Sequence, residues 1–121
     1  MIRRIECVCM PTKNVAESEA FYLTLGLTRA WGIERSLEGG GVWNLVGLKF
    51  PDANTTELVL SDNPDVDFTE IELHCDDVRQ TFEAIRTNPA VTWIREPFAT
   101  ESGHVAVMEA PDKNVFVLVD A

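Results

Sequence analysis

No apolar run in this 121-residue chain approaches the roughly 18 residues that a membrane-spanning helix needs, so no membrane partner is expected. No signal peptide is expected either, since Arg3 and Arg4 lead straight into an alternating pattern, and a cytoplasmic protein is the expectation. Cysteine is scarce. Cys7, Cys9 and Cys75 make an odd set without disulfide spacing. Cys7 and Cys9 stand two apart, hence on one face of a strand, and no second cysteine pair exists to complete a structural zinc site. Positive charge is also short, with 10 basic residues against 20 acidic ones and a net charge of −10. Such a field repels phosphate backbones and anionic lipid, which argues against nucleic acid. Where it does more than keep the protein soluble, it favours a cationic ligand.

What the chain has is a repeat. Phe50-Pro51-Asp52-Ala53-Asn54, followed by Glu57-Leu58-Val59-Leu60, returns 60 residues later as Ala110-Pro111-Asp112-Lys113-Asn114, followed by Val117-Leu118-Val119. Further forward the offset is 63, pairing Asn14 with Asp77 and Val15 with Val78. A copy of this size is a marginal folder alone. One merged domain over 1–121 is therefore expected, with module one at about 1–62 and module two at about 66–121.

Each copy reads β-α-β-β-β. In the first, Ile5 to Met10 is a strand, and Asn14 with Glu17 three residues on caps a helix from Val15 to about Leu25 that stops at Gly26. Phe21, Tyr22 and Leu25 form its apolar stripe. Strands follow at Leu27 to Ile33, Val42 to Lys49 and Glu57 to Leu60, separated by Gly39-Gly40-Gly41 and by Pro51 to Asn54. In the second copy Phe68 to Cys75 is a strand, and Asp76 or Asp77 caps a helix from Val78 to about Arg86. The remaining strands fall at Val91 to Arg95, His104 to Glu109 and Val115 to Val119.

Side chains alternate along a strand, so parity assigns faces. Ile71, Leu73 and Cys75 share one face and pack under a helix, with Leu58, Leu60, Phe116, Leu118, Val8 and Met10. The opposite face then carries Cys7, Cys9, Glu57, Glu70, Glu72 and His74 beside a valine patch that includes Val117. So mixed a face fits a curved sheet holding a pocket.

A tandem β-α-β-β-β pair resembles the vicinal oxygen chelate superfamily, which includes glyoxalase I, methylmalonyl-CoA epimerase, extradiol dioxygenases, fosfomycin-resistance thiol transferases and bleomycin-binding proteins. The opening Cys7-Val8-Cys9-Met10, the helix with Phe21-Tyr22 and the Leu25-Gly26-Leu27 after it are similar to that family's start. Ala110-Pro111-Asp112-Lys113-Asn114 resembles its Asp-Pro-Asp-Gly-Asn signature. The resemblance implies an α+β fold of curved mixed sheets backed by helices, the glyoxalase/bleomycin resistance-like fold, and a homodimer. It also implies four metal-ligand positions, which fall on Cys7, Glu57, Glu70 and Val117. Only Glu57 keeps the family's residue, and Val117 binds no metal.

Two functions emerge as expectations. The first is a binding protein for a small cationic or aromatic molecule, without the standard metal site and without a cofactor, its pocket contacted by Cys7, Trp31, Trp43, Glu70, Glu72 and Val117. The second is a divergent lyase, isomerase or dioxygenase using a displaced divalent metal at Glu57, Glu70 and Cys7, with Glu57 and His74 as catalytic candidates. A thiolate with two carboxylates is an unusual donor set for magnesium, manganese, iron or nickel, which puts binding ahead of catalysis.

Overall fold

The computed structural model describes residues 1–120. Its elements are β1 (Ile2–Pro11), α1 (Val15–Thr24), β2 (Thr28–Ser36), β3 (Val42–Lys49), β4 (Glu57–Ser61), β5 (Glu70–Cys75), α2 (Val78–Ile85), β6 (Thr92–Ala99), β7 (His104–Glu109) and β8 (Val115–Val119). They make an α+β fold of two compact units. One is Cys7–Thr69; the other joins Met1–Glu6 to the chain from Glu70 onward.

In the unit Cys7–Thr69, hydrogen-bonded neighbours run β2-β3-β4-β1. β1 and β4 are parallel, with Cys7 opposite Glu57 and Met10 opposite Leu60, while β3 is antiparallel to both β2 and β4. Parallel neighbours need a long crossover, and α1 lies within it. Asn14 starts that helix by accepting the Glu17 N–H at 3.0 Å. Gly26, at φ 100°, ends it in a conformation that favours glycine. Under α1 the buried core is Val15, Leu27, Val46, Leu48 and Leu60, joined by Met10, Tyr22 and Leu58.

The apolar stripe expected on α1 differs from the observed one. Phe21 and Leu25 are 57% and 60% exposed, and the helix packs through Val15 and Tyr22 instead. Those two residues lie seven apart, about two turns, and so stack on one side; Phe21 is turned away by about 100°.

In the other unit the order is β1-β5-β8-β7-β6, with β5 parallel to β8 and the rest from β8 to β6 antiparallel. Asp77, not Asp76, caps α2, accepting the Gln80 N–H at 3.1 Å. Asp76 instead forms an ion pair. The Arg3 guanidinium, 2.7 Å away, and the N-terminal amine hold its carboxyl at about 2. This ties Met1–Glu6 to the end of β5. Beneath α2 the core is Cys75, Val78, Ala106 and Leu118, with Leu73, Trp93 and Met108 packed against it.

Strand β6 runs to Ala99, four residues past the expected end at Arg95. Pro97 suggests a break, yet proline is tolerated at a sheet edge, and two register shifts near Arg95 accommodate it. Asp120 fastens the N-terminus of α2 to the start of β7. Its carboxylate accepts the Val78 N–H at 2.8 Å and the His104 N–H at 2.7 Å. Burial alone would raise its pKa, but these two donors carry it below the ordinary value.

Two outcomes are expected. Lys113 lies at φ 73°, a conformation costly for a side chain, so Lys113→Gly should raise the denaturation midpoint, corresponding to about 1 kcal/mol. Asp120→Asn should lose about 1–2 kcal/mol at neutral pH in urea titrations. Because the folded carboxyl titrates low, its contribution is full above the normal carboxylate range and fades as pH falls through it. The gap between variant and wild type should therefore close in acid.

Candidate functional site

The face of the unit Cys7–Thr69 turned away from α1 is built on a row of neighbours. Trp31 on β2 stands opposite Gly47 on β3, Gly47 opposite Val59 on β4, and Val59 opposite Cys9 on β1. Cys7, Cys9, Leu45 and Val59 are buried together, and the indoles of Trp31 and Trp43 pack over them. Gly47 is what lets Trp31 lie down: a Cβ built there would collide with the Nε1 edge of the indole. The ring is then fixed by its N–H, which donates to Glu57 Oε1 at 2.9 Å. The Arg35 guanidinium sits 5.5 Å from the centre of the Trp43 ring, a cation–π contact.

In the other unit, the face away from α2 pairs acid with valine. Glu72 lies opposite Val117, which lies opposite Val107; His74 lies opposite Val119, which lies opposite Val105. Glu70 is two residues before Glu72 on the same side of β5. Burial, reinforced by the Glu72 charge, pushes the Glu70 carboxyl above its usual range. His74 Nδ1 is buried and meets no hydrogen-bond partner among the described residues. An imidazole and a carboxyl that resists ionisation thus stand on one side of the same strand, four residues apart.

The parity of the strands thus brings together Cys7, Glu57, Trp31 and Trp43 in one unit, and Glu70, Glu72, His74 and Val117 in the other. Trp93 belongs to neither set. It packs edge-on against Phe82 of α2 at 4.7 Å between ring centres. Gly47 and Arg35 are residues of this face that the sequence left unremarked. The signal for the first was a glycine interrupting an otherwise well-packed strand, which marks a close approach of another group. Two open grooves, of about 640 and 600 Å³, adjoin at Lys13 and Asp62 in the unit Cys7–Thr69, and none of the expected site residues lines either.

At the four positions where the resemblance implies metal ligands, the donors are few. Cys7 is 5% exposed and sits in an apolar cluster. Glu57 accepts a hydrogen bond from Trp31. Val117 has no lone pair to offer. Among the described residues, no three His, Cys, Asp or Glu side chains gather closely enough to hold an ion.

No protein-family model matches the chain, and no curated protein matches it. Solved structures do. A hypothetical protein, BH1468 from Bacillus halodurans C-125, superposes with a TM-score of 0.75 at 12% identity, over 98% of this chain and 94% of that one. A methylmalonyl-CoA epimerase from Streptomyces coelicolor, a single-residue variant in complex with 2-nitronate-propionyl-CoA, gives 0.74 at 17% identity, over 100% and 99%. A glyoxalase/bleomycin resistance protein/dioxygenase superfamily member from Vibrio splendidus 12B01 gives 0.65 at 11%, over the whole of both chains. The architecture is a paired β-α-β-β-β arrangement. Specifically, it is the vicinal oxygen chelate fold, and at these identities the likeness concerns fold alone.

Glu70 offers a direct check on the acidic face. A carboxyl whose folded pKa is raised favours folding below its unfolded pKa, and that contribution is lost as pH rises through the folded value. Glu70→Gln should therefore be more stable than wild type at pH 7 and indistinguishable from it in acid, measured by urea midpoints at both.

Proposed function

We propose that the protein binds a small cationic or aromatic molecule on the face of the unit Cys7–Thr69 turned away from α1, without the metal site its fold often carries. The observation that carries this reading is the pair of indoles, Trp31 and Trp43, laid over buried Cys7, Cys9, Leu45 and Val59. Large apolar rings with a polar edge are suited to flat ligands, and Arg35 over Trp43 is an example of a cation held against one of them. The acidic total of the chain favours the same ligand class. The donor chemistry agrees: the residues at the fold's metal positions include a valine, a cysteine among apolar neighbours and a glutamate bonded to an indole. They do not fit a divalent ion of the kind that prefers several oxygen or imidazole donors. Homodimerisation, which the family resemblance implies, and a cytoplasmic location, expected from the sequence, belong to the same proposal.

A second reading is kept because of Glu70, Glu72 and His74. These groups on one side of β5, with Glu70 resisting ionisation, are the parts a divergent lyase, isomerase or dioxygenase of this fold would use for proton transfer.

Titration with a panel of basic aromatic compounds, followed by tryptophan emission, should give saturable quenching that weakens about tenfold in Trp31→Phe. In parallel, purified protein exposed to nickel, manganese, iron and zinc should retain no stoichiometric metal. Stoichiometric metal that disappears in Glu57→Gln would transfer the assignment to the enzyme.

A further inference from the structure

We infer that Glu57 is a positioning residue: its carboxylate, at a place where this fold holds metal, anchors the Trp31 indole flat on the backbone of Gly47 as a stacking wall for a planar ligand. Three observations converge. First, the close approach is built in, because Gly47 is the strand position directly opposite Trp31 and any Cβ there would collide with the ring. Second, a tryptophan side chain has two torsions, and contact with a strand leaves the ring free to slide or flip unless its N–H is captured. Glu57 Oε1 captures it at 2.9 Å, and a charged acceptor makes the stronger kind of hydrogen bond. Third, the ring rests on a packed support of Val59, Cys9 and Leu45, so there is no space to sink into.

The two devices are complementary. Gly47 supplies room and Glu57 supplies direction, and an indole so held loses little freedom when a flat molecule stacks on it. The planar class of the ligand rests on the binding reading above, whereas the positioning role stands on the contacts alone.

The experiment uses the full chain labelled with ¹⁵N, the indole N–H resonance of Trp31 being assigned by its loss in Trp31→Phe. In wild type this proton should exchange with solvent at least about tenfold more slowly than that of a free indole, as a bonded and shielded group does. Glu57→Gln, which keeps an acceptor oxygen, should preserve the resonance and leave affinity for the planar cation proflavine within about twofold. Glu57→Leu should shift the resonance to the free-indole position and weaken proflavine about tenfold. Manganese(II) in excess should leave the resonance unbroadened.

An unchanged Trp31 resonance in Glu57→Leu would overturn the inference, as would selective manganese broadening that Glu57→Gln relieves. If Glu57→Leu does not fold, wild type alone decides, since fast exchange of the Trp31 proton contradicts the anchor. Absence of proflavine binding alongside the expected resonances would sink the binding reading and leave the positioning role intact.

Discussion

A β-strand turns successive side chains to opposite sides, and each unit of this protein has a single helix with which to cover one of them. That limit governs where nearly every side chain goes. The covered side takes the aliphatic residues: Val46, Leu48 and Leu60 under α1, and Ala106 and Leu118 under α2. The uncovered side needs another solution, and the two units solve it differently. The unit Cys7–Thr69 lays tryptophans over its cysteines and valine. The other unit keeps valines on β7 and β8 and places carboxylates and an imidazole on β5.

The elements legible in the sequence were those with sharp punctuation. Val42–Lys49, His104–Glu109 and Val115–Val119 fall where the turn residues on either side put them. Face assignment was legible too, since period-two alternation requires no knowledge of neighbours. What alternation lacks is register. Nothing local says that Trp31 will stand opposite Gly47, or that its N–H will find Glu57 across 26 positions of chain. Helix α1 misled for a related reason: its most hydrophobic residues, Phe21 and Leu25, lie off the short face through which it touches the sheet.

The fold comparison sharpens this division between scaffold and chemistry. Structures at 11 to 17% identity superpose along the whole chain, which means that the spacing of strands and helices persists while individual side chains change. A position is preserved by geometry; its residue is not. Glu57 illustrates the distinction: at a position where the resemblance implies a metal ligand, its carboxylate accepts a hydrogen bond from an indole.

Pro97 and the two register shifts on β6 have an effect beyond their own strand. Among the described residues β6 closes one end of the strand order. A proline contributes no amide hydrogen, and shifted spacing interrupts the regular ladder that an incoming segment would have to match. That border consequently resists templating by a stray extended peptide, a built-in guard against fibre growth at high concentration.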